Sequence, residues 1–155
     1  MNKSYLSIIL LLILALTSAQ NVSAFSADSQ YFKGTKGEQV EPVDQEISLD
    51  VSSLDDGKAH YFNVLLPDGK TAYFFVLKSP DGVYRAAFNA CQVCGGALQG
   101  FRQVGDYMVC NTCGNRYPLD RIATEKGGCN PIPINPDLKV SGGKISIRLS
   151  DLEKG

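Results

Sequence analysis

Residues 43–51 alternate in character. Ile47, Leu49 and Val51 are apolar, and Glu46, Ser48 and Asp50 between them are polar. A period of two sends one set toward a core and the other toward water, which predicts a half-buried strand. Residues 59–66, 71–78 and 83–88 continue the β-rich pattern, and the second of these runs carries Tyr73, Phe74, Phe75 and Val76 in succession. Asp56-Gly57, Asp68-Gly69 and Asp81-Gly82 punctuate the runs. Asp-Gly is a reversal signal, because the glycine takes positive φ without a steric penalty. Four antiparallel strands in a meander are expected.

The pattern then shortens. Residues 99–102 and 106–109 read as two brief strands around Gly105-Asp106, and residues 117–122 as a short strand followed by one helical turn. Pro131, Pro133 and Pro136 hold their segment extended. Residues 144–149 alternate again as a last strand after Gly142-Gly143, and residues 150–155 end in a turn of helix. No stretch beyond the N-terminal 24 residues sustains a 3.6-residue period over a helical length. The predicted class is mainly β: an antiparallel meander or small sandwich, with an inserted zinc-ribbon-like double cysteine-knuckle module.

The N-terminus departs from this pattern. Lys3 precedes an unbroken apolar run, Ile8 to Leu16, and Val22-Ser23-Ala24 supplies small residues. These are the three parts of a secretory signal peptide, with cleavage expected after Ala24 and Ala19 as the alternative. The apolar stretch from Leu6 to Ala19 is shorter than the ~20 residues a spanning helix needs, so contact with a membrane is expected only through this segment if it stays uncleaved. The expected organisation is a signal peptide over residues 1–24, a flexible arm over 25–42 and a single β-rich metal-binding domain over 43–155, with its cysteine module at 89–131. The expected location is extracytoplasmic: periplasmic, cell-surface or secreted. Charge is balanced, 15 basic against 16 acidic residues. The basic side chains are scattered, which argues against a nucleic-acid partner.

All five cysteines lie between Cys91 and Cys129. Cys91-Gln-Val-Cys94-Gly and Cys110-Asn-Thr-Cys113-Gly are two C-x-x-C elements, and Gly-Gly-Cys129-Asn-Pro follows. Two intervening residues let the backbone fold into a knuckle whose sulfurs converge on one ion. Gly95 and Gly114, each directly after a second cysteine, are expected to supply the left-handed backbone of such a turn. Four thiolates in tetrahedral array suit zinc or iron. Cys91, Cys94, Cys110 and Cys113 are therefore the candidate ligands, with Cys129 as a fifth or exchanging one.

Other chemistries fit less well. A dithiol redox motif wants its first cysteine at a helix N-terminus, and the glycines after each pair are poor helix formers. A c-type haem needs His after the second cysteine, and a Rieske centre needs two His ligands. The chain has one, His60, which reads as a surface or satisfied core residue. A structural zinc ribbon is what the spacing alone suggests, and Cys129 is the residue it does not use. Cys129 can cap the site, replace a sulfur or ligate a multinuclear cluster; the plain alternative is a small buried thiol. Met108 offers a thioether to copper or simply fills the core. No activated serine, general base or carboxylate pair is discernible, which argues against a hydrolase or transferase.

Three segments together resemble the FtrD-like family of extracytoplasmic iron–sulfur-containing proteins. They are Ala-Ala-Phe-Asn-Ala-Cys-Gln-Val-Cys at 86–94, Gly-Phe-Arg-Gln through Gly-Asp-Tyr-Met-Val-Cys-Asn-Thr-Cys-Gly at 100–114, and Gly-Gly-Cys-Asn-Pro at 127–131. The resemblance extends from about Ala59 to the region of Leu152. It implies an iron–sulfur centre held by the five cysteines, with a role in electron transfer and in ferrous-iron uptake through a membrane iron permease. The residues themselves leave mononuclear iron, zinc or copper as alternatives, and the expected function is electron transfer or metal handling in iron (or copper) uptake, with a membrane iron permease or redox protein as partner. The alternative is a zinc-stabilised β domain that serves as a protein-interaction module.

Overall fold

The computed structural model describes residues 31–124 and 127–155; the expected signal peptide lies outside them. The strands are β1 (Glu38–Gln39), β2 (Glu46–Asp50), β3 (His60–Leu65), β4 (Thr71–Lys78), β5 (Tyr84–Cys91), β6 (Phe101–Val104), β7 (Tyr107–Cys110), β8 (Arg116–Pro118), β9 (Pro131–Ile134), β10 (Val140–Ser141) and β11 (Lys144–Arg148). One helical turn, α1 (Leu149–Leu152), follows β11. The fold is mainly β, as the alternation predicts, but the meander has three strands rather than the expected four: β3-β4-β5 pair antiparallel, while β2 leaves them to pair with β11.

The sequence of β4 shows why the strands stack in three layers. Phe74, Phe75, Val76 and Leu77 are all fully buried, so this strand is covered on both faces. Its even positions, Ala72, Phe74 and Val76, join a hydrocarbon core with Ile47 and Leu49 of β2 and Ile145 and Ile147 of β11. Its odd positions, Phe75 and Leu77, join a second core with Phe101, Met108, Cys110, Leu119 and Ile122. A side chain flips face at every residue of a strand, so one continuous apolar run serves two cores.

The central sheet has the order β1-β3-β4-β5-β9, and the flanking sheets are β10-β11-β2 and β6-β7-β8. The first flank is sealed by α1, whose Leu149 and Leu152 enter the hydrocarbon core. Burying a side chain such as Ile145 or Phe74 stabilises the fold by roughly 1.5–3 kcal/mol. The second flank is the cysteine module.

Residues 31–42, read from composition as part of a flexible arm, lie against the central sheet. β1 pairs in parallel with β3 through Glu38–Phe62 and Gln39–Asn63. Phe32 is buried and stacks on Tyr73 with ring centroids 4.0 Å apart. One aromatic and a few backbone hydrogen bonds hold the segment, and neither leaves a periodic trace in a polar stretch. Pro131 and Pro133 also sit in a paired strand, β9, at the free edge of β5; an edge tolerates the missing N–H of proline. Among the described residues no helix is long and apolar enough to cross a membrane.

Candidate metal centre

β5 carries the first cysteine into place. Ala87 and Cys91 lie on its second-core face, while Ala86 and Phe88 point to the hydrocarbon core. Cys91 is the last residue of the strand and pairs with Pro131 of β9 across an irregular register. The β6–β7 hairpin brings the second pair back to the same place, with Phe101 opposite Cys110. Asn89, fully buried, fastens the hairpin to β5: its Oδ1 accepts from the Phe101 N–H at 2.7 Å, and its Nδ2 donates to the Thr35 carbonyl at 2.9 Å. Gly100 takes φ +64, and a Cβ there would meet Asn89 Oδ1 at 2.5 Å. Both its backbone angle and the close approach require glycine.

The two knuckles differ. After Cys113, Gly114 takes the expected left-handed φ of +75, its N–H donating to the Cys110 carbonyl at 2.9 Å. After Cys94, Gly95 instead opens a 3-10 turn, Gly95–Ala97, and the left-handed residue is Leu98 at φ 54. The left-handed role expected of Gly95 is thus displaced three residues along, because the chain closes by donating Ala97 N–H to the Cys94 carbonyl and Leu98 N–H to the Gly95 carbonyl. Both knuckles aim amides at sulfur. Cys94 N–H donates to Cys91 Sγ at 3.2 Å. The N–H groups of Cys113 and Thr112 face the Cys110 sulfur, and that of Asn115 faces Cys113. Amides so placed orient a thiolate ligand and stabilise its charge.

The third segment is tied to the first knuckle. Gln92 N–H donates to the Asn130 carbonyl at 3.1 Å, and Gln92 Oε1 accepts from Gly127 N–H at 2.7 Å. Asn130 Nδ2 closes the loop on the Gly127 carbonyl at 2.9 Å. Cys129 is therefore delivered by a loop clamped from within the Cys91–Cys94 turn. Gln92 and Asn89 were not legible as site residues: an amide beside a cysteine has no distinctive spacing, and their partners lie far off in sequence.

All five sulfurs converge. The Sγ atoms of Cys91, Cys94 and Cys110 lie within 4.8 Å of one another, and so do those of Cys94, Cys113 and Cys129. None of the five is in a disulfide. Cys91 and Cys110 are buried at 4% and 1% exposure; Cys94 and Cys129 are half-buried and Cys113 is exposed. The two groups contain cysteine alone. His60 bonds Asp56 at 2.8 Å, and Met108 is wholly buried in the second core.

This donor set fits a thiophilic metal. Metal–sulfur bonds of ~2.3 Å in tetrahedral array place neighbouring sulfurs ~3.8 Å apart, so each group can close on an ion with small side-chain adjustments. Three of the thiols are raised by their surroundings. Burial pushes Cys94 up to about 12, with the Cys91 and Cys113 sulfurs adding to it. Burial likewise raises Cys110, and the Cys113 sulfur together with burial raises Cys129. Cys113 is the exception, held below the ordinary thiol range by the Asn115 N–H. A bound cation reverses this balance and deprotonates its ligands. Loading therefore releases protons and weakens as pH falls. Tyr117 packs edge-on against Phe101 at 6.1 Å, and burial lifts its phenol to about 12, so it stays neutral beside the sulfurs.

No curated protein and no solved structure matches the chain significantly. The family described as "Membrane iron-sulfur containing protein FtrD-like" matches residues 54–155. That match spans the meander, all three cysteine-bearing segments and the last strand, and the chain belongs to the FtrD-like family of membrane iron–sulfur containing proteins.

Proposed function

We propose that this is an exported protein whose Cys91, Cys94, Cys110, Cys113 and Cys129 ligate an iron or iron–sulfur centre. Its role is electron transfer or metal handling in iron (or copper) homeostasis outside the cytosol, with a membrane iron permease or redox protein as partner. The observation that carries this reading is the convergence of five unpaired thiols from three separate segments into two overlapping groups. Membership of an iron–sulfur family adds support for iron, and the signal-like segment at residues 1–24 supports export.

A cysteine-bound iron centre supplies one-electron chemistry when present. The chain contributes the surroundings that set its potential. Phe75, Leu77, Phe101 and Met108 exclude water from the inner side. The amides of Cys94, Thr112, Cys113 and Asn115 lower the electron density on the sulfurs. Exposed Cys113 brings the outer edge to the protein surface, where an electron or an ion can pass to a partner.

A structural zinc reading has one specific observation in its favour, the near-complete burial of Cys91 and Cys110, as in a closed zinc site. Anaerobic purification from the extracytoplasmic fraction, followed by visible absorption with metal and acid-labile sulfide analysis, separates the two. Sulfur-to-iron charge-transfer bands with bound iron are expected. Colourless protein holding zinc alone would overturn the iron reading.

A further inference from the structure

We infer that the outer face of the β6-β7-β8 sheet is a docking surface, and that its occupant is an electron-transfer protein with an acidic, partly apolar face. The register of the three strands builds the surface. Arg102, Val109 and Arg116 are direct cross-strand neighbours, and Val104, Tyr107 and Pro118 form the next row. Side chains alternate along a strand, and the intervening Phe101, Met108 and Cys110 enter the second core. The two rows therefore point away from it. Val109 belongs to neither core and lies between the two arginines of its row. Val104 and Tyr107 are 42% and 39% exposed, and the Arg116 guanidinium sits 4.7 Å over the Tyr107 ring.

The charge on this face is not answered within the chain. Lys78, Arg85, Arg148 and Lys154 each bond a carboxylate. Arg102 and Arg116 have no ion pair among the described residues; Arg102 donates instead to Asn111 Oδ1 at 2.6 Å. The carboxylates nearest in sequence, Asp106 and Asp120, lie in the turns before β7 and after β8. A chain of net charge −1 thus carries a local cationic face. Both arginines stand beside the exposed edge of the metal centre: Asn111, which holds Arg102, is two residues before Cys113, and Arg116 is three after it. Arginine and tyrosine around an apolar patch are what protein interfaces favour. Anionic lipid is recognised by clusters of roughly four to eight basic residues, and this face has two.

The identity of the occupant rests on the proposed electron-transfer role, and the test separates the two. The full, metal-loaded protein is reduced and mixed with a ferric c-type cytochrome, either unmodified and basic or succinylated and acidic. The centre gives up one electron and the ferric haem becomes ferrous. Net charge alone favours the basic form. The docking face predicts the reverse: the acidic form is reduced faster, and salt slows it. Arg102→Gln with Arg116→Gln should slow that reaction about tenfold at low salt. Lys139→Gln with Lys144→Gln removes the same charge elsewhere and should leave it unchanged. If the arginine variant loses metal, amide shifts in the wild type decide: the acidic cytochrome should perturb Val104, Tyr107, Val109 and Arg116. A faster basic form, a rate indifferent to salt, or shifts confined to another face would overturn the docking surface. Capture of the protein by phosphatidylglycerol vesicles through these arginines would reassign the face to a membrane and overturn it as well. Shifts on this face with no electron passed would sink the redox role and leave the surface standing.

Discussion

The two faces of the central sheet are built from different materials. The face that meets β2, β11 and α1 buries Ile, Leu, Val, Ala and Phe side chains. The opposite face begins the same way, with Phe75 and Leu77, and then gives way to the sulfurs of Cys91, Cys110, Cys94 and Cys129. The strands of its cap are also short, four residues in β6, four in β7 and three in β8. The difference lies in what an ion held by the proposed cysteine ligands would add. The hydrocarbon side is packed by side chains alone, whereas on the sulfur side metal–thiolate bonds would add cross-links to the smaller cluster of Phe75, Leu77, Phe101, Met108, Leu119 and Ile122.

Removing the metal should break this comparison most sharply. Thiolate–metal binding is worth ~10 kcal/mol in small sites. Chelation is therefore expected to lower the opening free energy of Met108 and Val109 by about 5 kcal/mol or more, while Ile47 and Ile147 keep their protection. Amide hydrogen exchange, residue by residue, reads this directly; uniform loss across both faces would mean one cooperative core. Phe74→Ala tests the other side. A wholly buried Phe cut to Ala should cost about 3–5 kcal/mol, seen as a lower denaturation midpoint, with metal content unchanged because Phe74 belongs to the hydrocarbon cluster.

The smallest effect sharpens the contrast between the knuckles. Gly114→Ala forces a side chain onto φ +75 and should cost about 1–2 kcal/mol and weaken metal retention. Gly95→Ala finds open space and no positive φ, so a change within about 0.5 kcal/mol is expected. Thermal denaturation of the two metal-loaded variants compares them; equal losses would show that the knuckles are equivalent after all.

Much of this was readable in the chain. The alternation in residues 43–51 and 144–149 emerged as β2 and β11, which pair with each other, and the aromatic-rich run at 71–78 emerged as β4. The C-x-x-C pairs marked the site because two sulfurs three residues apart are a local property. What could not be read depends on distant partners. The stacking of Phe32 on Tyr73, the parallel pairing of β1 with β3, and the clamps made by Asn89 and Gln92 each join residues with no periodic relation. The left-handed turn at Leu98 was hidden for another reason: Gly95 looked like its natural site, and the choice between them is made by hydrogen bonds within the 3-10 turn.

The central claim is that the five cysteines make one all-sulfur metal centre. X-ray absorption at the edge of the metal bound in anaerobically purified protein tests it most directly. A first shell of sulfur alone, with metal–sulfur distances near ~2.3 Å, is the predicted result. Nitrogen or oxygen from protein side chains in that shell, or a chain that retains no metal, would contradict the account.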